Sequence, residues 1–565
     1  MKKRNLLFAS LLACAGLEAQ NAAVFENYRY DAVDRFAAQT AKNQYQNPIL
    51  AGFMPDPSIC RKGDDYYLVN STFSYFPGVP IWHSKDLVHW TQLGSVLNRE
   101  SQLRLGRSSM SGGVYAPDIK YNPHNNLFYM ITTGTGYGAV SIVTTDDPKK
   151  RNWSDPIVVS NMGGIDPSLF FDDDGKAYIV NNDAPAGQAE YDGHRAIWVR
   201  EFDWKTNKTV GEPKVAVDKG VVPADKPIWI EGPHLYKING TYYLMCAEGG
   251  TEVRHSEVVF TSKSPMGPFT PCAVNPILTQ RDLPDGRLNP VTSSGHADLV
   301  QTAAGDWYAV FLACRPYGDN LYNTGRETFL LPVSWKNGQP IILPAGKEIP
   351  YAVNKSAEML SLEKKYPSTG FDFYHPGPLW TAGGLKDHAL FVRNPSGNFY
   401  SILPSGALSL RLKDVSMNER ANPAFICQRV TSWYFTASVN LNFQPATATE
   451  FAGMACFQNE SHFIQFGKTL DTLTGKPILL VEAFKGGRSV YRASTPLLEK
   501  NAAASLTLQV KAEKPDLYAF SYSADGGKSW KRVGEPVDAT LLSTKVASGF
   551  QGAAVGVYAT AKRRL

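Results

Sequence analysis

The chain is 565 residues long, 43% hydrophobic and 19% charged, with 12% aromatic residues, 47 Gly and 37 Pro. That length exceeds one ordinary hydrophobic core and predicts two domains; the composition excludes a disordered or collagen-like chain and favours a β-rich protein with many tight turns. The formal charge of +5 includes Lys2, Lys3 and Arg4 of a leader, so no basic patch for nucleic acid is implied.

Residues 1–19 read as a secretory signal, with Lys2-Lys3-Arg4, an apolar run from Leu6 to Leu12 and small residues ending near Ala19-Gln20. Nothing later is apolar and long enough to span a membrane. The expectation is an exported protein, periplasmic or secreted. The stretch Leu11-Leu12-Ala13-Cys14 loosely resembles a bacterial lipoprotein cleavage site, which would instead leave the chain anchored through Cys14. Beyond the leader, Cys60, Cys246, Cys272, Cys314, Cys427 and Cys456 lack the close pairing of a zinc site, and buried free thiols are expected.

Over residues 40–350 one pattern recurs five times: a small or acidic start, an aliphatic residue shortly after, a turn, then an aromatic-rich strand. The copies open at Asp56-Pro57-Ser58-Ile59, Ala116-Pro117-Asp118-Ile119, Asp166-Pro167-Ser168-Leu169, Glu231-Gly232-Pro233-His234-Leu235 and His296-Ala297-Asp298-Leu299. Turns such as Asp173-Asp174-Gly175 and Asn239-Gly240 separate paired strands, because both central positions of a tight hairpin favour positive φ. The starts lie about 50 to 65 residues apart, the length of a four-stranded blade, which predicts a five-bladed β-propeller. Its innermost strands would bring Asp56, Ala116, Asp166, Glu231 and His296 to one axis. Asp172, Asp173 and Asp174 read as solvated turn residues away from that channel.

Residues 351–368 read as a linker. Residues 369–565 carry short alternating segments, such as Phe435–Leu441 and Leu506–Val510, and an Asp525-Gly526-Gly527 turn. A β-sandwich is expected there. The fold class is therefore all-β, a five-bladed β-propeller followed by a β-sandwich.

Singly, an Asp before Pro is commonly a turn residue, and a lone His is commonly a satisfied core residue. Equivalence within a repeat changes that reading, because three of five axial starts are carboxylic acids. Cleaving a glycosidic bond needs an acid on the leaving oxygen and a carboxylate across the sugar, and crowded carboxyls raise one another's pKa. The competing reading is a carbohydrate-binding protein without catalysis, which has no need of a protonated acid facing a base.

The chain resembles glycoside hydrolase family 43, the β-xylosidase and α-L-arabinofuranosidase family, in the group with a C-terminal concanavalin-like sandwich. The motifs are Asn47-Pro48-Ile49-Leu50 leading to Asp56-Pro57-Ser58, Ser71-Thr72-Phe73, Phe76-Pro77-Gly78, His83-Ser84-Lys85-Asp86-Leu87 with Trp90, Glu231-Gly232-Pro233, Gly295-His296-Ala297-Asp298 and Gly325-Arg326-Glu327-Thr328. The resemblance implies Asp56 as general base, Glu231 as general acid and Asp166 as the carboxylate that tunes the acid. It further implies an inverting reaction with base and acid about 6.5–9.5 Å apart. Arg326 matches a sugar-contacting arginine and Phe73 an aromatic pocket wall. His296 matches an axial histidine that in relatives holds a calcium ion or water, although the chemistry requires no cofactor.

Two departures concern the pocket wall. Xyloside-specialised relatives usually have Trp in the segment Gly113-Val114-Tyr115-Ala116-Pro117, and an aromatic residue where this chain has Ile165. Both shift the expectation towards terminal α-L-arabinofuranose on hemicellulose-derived oligosaccharides, with β-D-xylose second. The short basic end after Ala559 departs from relatives that continue into a closing strand, which predicts an exposed sheet edge. The sandwich is expected to be chiefly structural.

Overall fold

Five antiparallel sheets follow one another along the chain, each with its strands in simple sequence order. The computed structural model describes residues 22–502 and 504–563, so the leader and Cys14 lie outside the described residues. The innermost strands are Ser58–Lys62, Tyr115–Asn122, Ile165–Phe171, Glu231–Ile238 and Thr292–Gln301. Residues from all five border one axial cavity. This is the five-bladed propeller.

A backbone device repeats at each blade. Asp56, Ala116, Asp166, Gly232 and His296 have φ of 51, 27, 53, 55 and 53°. In blades two to five the strand pairing also slips there, as between Tyr115 and Asp118 or Glu231 and His234. Such bulges re-aim side chains, and left-handed backbone suits Asp, His and Gly better than branched residues. The slip corrects one expectation. Gly232, not Glu231, is level with Asp56 and Asp166, whereas Glu231 stands one residue earlier, at the level of Tyr115, Ile165 and Gly295.

Neighbouring blades pack against each other. Val180, Ile197 and Val199 of blade three meet Leu235, Leu244, Val258 and Phe260 of blade four in one buried cluster. Each such aliphatic side chain stabilises the fold by about 1.5–3 kcal/mol. The expected hairpins form, with Asn239 and Gly240 at φ 50 and 76° in the tight turn of blade four. Asp172 departs from its expected solvated role: it is buried and accepts hydrogen bonds from Lys237 Nζ at 2.8 Å and Tyr242 Oη at 2.6 Å.

The segment before the first blade closes the ring. Asn47 Nδ2 donates to the Leu330 carbonyl and Asn47 Oδ1 accepts from its amide, both at 2.9 Å, while Gln44–Gln46 pairs with Ala352–Asn354. Residues 351–368 are not a bare linker. Helix Ala357–Lys365 is capped by Ser356, and its Glu358 accepts from the amide of Ala304 in the blade five turn. At its other end Lys365 and Tyr366 both reach Asp64 in the blade one turn. Residues 34–373 accordingly form one compact unit, the propeller.

The second unit comprises, among the described residues, 22–33 and those from Tyr374 on. Here too the structure differs from expectation. Strand Ala22–Ala32 lies inside one sandwich sheet, between Leu408–Arg411 and Phe435–Asn442. The other sheet runs Arg488–Pro496, Pro477–Lys485, His462–Leu470, Phe451–Asn459, Ala554–Thr560, Ala424–Arg429 and Leu390–Val392. Ala554–Thr560 is paired on both sides, so it is an interior strand and not the exposed edge expected there. The six cysteines beyond the leader are buried and free. No helix among the described residues is long and apolar enough to cross a membrane.

Candidate active site

The left-handed starts of blades one and three place Asp56 and Asp166 on the same axial cavity, and Glu231 stands close enough for both to perturb it. All three carboxyls are less than a tenth exposed. Their surroundings treat them differently.

Asp56 is surrounded by donors. Arg326 Nη1 lies 3.0 Å from Oδ1, Ser71 Oγ donates to Oδ2 at 2.6 Å, and His296 Nδ1 stands 3.7 Å from Oδ1. Burial raises this carboxyl, but Arg326, His296 and Ser71 outweigh burial and hold it below the usual carboxylate value. Asp56 is an anion near neutrality.

Glu231 feels Arg326 and Arg195 too, but their charges do not prevail. Burial, then the charges of Asp166 and Asp56, push its carboxyl well above the ordinary range. Asp166 is itself pushed up to about 7 by burial and by Asp56, and its Oδ2 accepts the Gly232 amide at 3.1 Å. That bond ties the residue following Glu231 to the neighbouring carboxylate. The site thus pushes one carboxyl towards ionisation and its neighbour towards protonation.

The remaining predicted residues form the surroundings. Phe73, itself at φ 50°, exchanges both backbone hydrogen bonds with Val114. This holds its ring edge-on to Tyr115 at 5.9 Å, with the Arg326 guanidinium 5.8 Å from the Phe73 centroid. Tyr115 Oη donates to the Ser111 carbonyl at 2.7 Å. Ile165 is half-buried one residue before Asp166. His296 is neutral, its pKa pushed down to about 4 by burial.

The axial residues do not suit a calcium ion. Calcium takes six to eight oxygen ligands, whereas His296 offers nitrogen, and Asp56 beside it is committed to Arg326 and Ser71. The adjoining cavity of about 10 Å³ has room for about one water molecule.

Several contributors carry no role in the sequence reading. Ser71 Oγ bridges Asp56 and the Ala116 amide, accepting the latter at 2.7 Å. Glu327 binds Arg315 through two contacts of 2.6 Å and accepts the Gly52 amide at 2.8 Å, fixing the strand start beside Arg326. Glu257, buried and pushed well above the carboxylate range by burial, accepts the Ala297 amide at 2.9 Å behind His296. An acid inside the apolar run Ser256–Phe260 is the sequence signal that marks Glu257.

Comparison with known proteins agrees with this geometry. Residues 45–340 match glycosyl hydrolases family 43, and residues 381–564 match the β-xylosidase C-terminal concanavalin A-like domain. A xylosidase/arabinosidase of Butyrivibrio fibrisolvens is 38% identical over 91% of this chain and 95% of its own. A non-reducing end α-L-arabinofuranosidase of Bacteroides ovatus is 36% identical over 92% of each chain. The crystal structure of a GH43_12 protein retrieved from a capybara gut metagenome superposes with a TM-score of 0.85 at 38% identity, covering 95% of this chain and 99% of that one. The chain belongs to glycosyl hydrolases family 43 and is a glycoside hydrolase.

Proposed function

We propose that this glycosidase releases terminal α-L-arabinofuranose from hemicellulose-derived oligosaccharides, exo-acting and with inversion. Asp56 is the general base that activates water, Glu231 the general acid that protonates the leaving oxygen, and Asp166 the carboxylate that keeps Glu231 protonated. The observation that carries this reading is the opposite treatment of the acids: Arg326 and Ser71 hold Asp56 ionised, while burial and two neighbouring carboxylates keep Glu231 neutral. Arg326 and Tyr115 face the sugar, with the buried Phe73 ring packed behind both. The name of the Bacteroides relative supports arabinose.

A β-D-xylosidase reading is second, supported by the name of the Butyrivibrio relative and by that of the C-terminal domain. Ile165, less bulky than an aromatic residue at the wall, favours the furanoside. The leader supports export, which N-terminal sequencing of the processed protein tests.

Release of nitrophenol from the α-L-arabinofuranoside and the β-D-xylopyranoside tests the main reading. The arabinofuranoside is expected to be the better substrate, and Asp56→Asn and Glu231→Gln are expected to lose at least about 10²–10⁴-fold in kcat on natural oligosaccharides. A stronger preference for the xylopyranoside reverses the sugar assignment, and full activity in Asp56→Asn removes the base assignment. Proton NMR of the first-formed anomer tests inversion.

A further inference from the structure

Two residues below Asp56, Ala116, Asp166, Gly232 and His296, each blade contributes a second axial residue: Ser58, Asp118, Ser168, His234 and Asp298. The ligand-type atoms of Asp118, His234 and Asp298 lie within 4.8 Å of one another, and all three side chains are buried. A histidine and two carboxylates at that spacing form a divalent-cation-type donor set. In this chain a cation already stands there. Lys120 Nζ lies 2.9 Å from Asp118 Oδ1 and 2.7 Å from Asp298 Oδ2, with its side chain partly buried.

The two carboxylates fasten the whole ring. Asp298 accepts from the Ile59 amide of blade one at 2.9 Å and from Tyr236 Oη of blade four at 2.6 Å. Asp118 accepts from the Leu169 amide of blade three at 2.9 Å. Ser58 Oγ lies within 2.9 Å of both carboxylates and accepts the Ile119 amide at 3.0 Å. With Asp118 on blade two and Asp298 on blade five, all five innermost strands meet in this cluster. Without a cation, two buried carboxylates would repel across the axis.

We propose that Lys120 is the resident cation of the propeller axis, its ammonium bridging Asp118 and Asp298 in place of a divalent ion that these two and the neighbouring His234, 3.4 Å from Asp118 Oδ1, would otherwise hold. The fold therefore needs no metal at this level, and removing the ammonium converts the cluster into a divalent-cation site. The Lys120 stem also borders a second cavity of about 280 Å³ at the end of the channel away from Asp56, so a small amine has a route to the vacated position.

Thermal unfolding and calorimetric titration with Mn²⁺ test this. Wild type is expected to keep its Tm in EDTA and in Ca²⁺ or Mn²⁺; a fall in the chelator or a rise with either ion overturns the proposal. Lys120→Ala is expected to melt about 5–10 °C lower, to recover part of that loss in ethylammonium or Mn²⁺, and to bind one more Mn²⁺ than wild type. An unchanged Tm, or no recovery and no gained site, overturns it. Should Lys120→Ala not fold, the double variant Lys120→Met/Asp118→Asn removes one charge of each sign. It is expected to melt higher than Lys120→Met alone, and the reverse order overturns the proposal.

Discussion

The ring of His296 lies directly against the α-carbon of Gly232: a Cβ built on Gly232 would stand 2.9 Å from three ring atoms. The same glycine sits at φ 55° and gives its amide to Asp166. Gly232→Ala is therefore strained by backbone and by contact, and must displace either His296 from Asp56 or Glu231 from Asp166. A loss of about 1–3 kcal/mol in stability is expected, with a larger proportional loss of kcat than of substrate affinity. Urea unfolding and steady-state kinetics on one preparation measure both.

Ser71→Ala removes one of the donors that keep Asp56 ionised. A charged group that loses a hydrogen bond is destabilised by about 1.5–3 kcal/mol, roughly one to two pH units. The pKa of Asp56 rises towards its ordinary value, so the acid limb of kcat/KM moves to higher pH. An unmoved limb would show that Arg326 alone sets the ionisation of Asp56.

Asp166→Asn acts on the other limb. The charge of Asp166 helps to raise Glu231, so its removal lowers the Glu231 pKa, and the protonated acid is lost at lower pH. The alkaline limb is expected to move down by about one unit, alongside a reduced kcat. A pH profile of kcat/KM that keeps its alkaline limb would place the acid elsewhere.

Glu327→Ala leaves the Arg315 guanidinium buried without its bidentate carboxylate. About 3–5 kcal/mol of stability is expected to go. Because Glu327 follows Arg326 directly, KM should rise as well. Glu327→Gln, which retains the volume and one acceptor, is expected to lose less on both counts, and equal losses would point to packing instead of charge.

The parts of the fold visible in the sequence were those that repeat. Five Pro- or Ala-marked strand starts, each followed by a turn and an aromatic strand, announce blades because every blade solves the same packing problem with similar residues. The level of Glu231 was not visible, since a bulge shifts a side chain by one residue without changing the pattern around it. Lys120 was equally hidden: its partner Asp298 lies 178 residues away, and the pairing exists only once the ring has closed. Helix Ala357–Lys365 passed for a linker because it buries little beyond Met359 and is otherwise polar. Asp172 looked solvated because Lys237 and Tyr242, which bury it, belong to the next blade.

Strand Ala22–Ala32 is synthesised before any strand of the propeller, yet its sheet partners Leu408–Arg411 and Phe435–Asn442 come nearly four hundred residues later. The propeller is therefore nested within the sequence of the sandwich, whose first strand must wait unpaired until most of the chain exists. Cutting the gene after Phe373 would not yield a clean catalytic fragment; it would leave an apolar strand with Phe25, Tyr28 and Tyr30 stripped of cover. A self-contained propeller has to begin at Asp34.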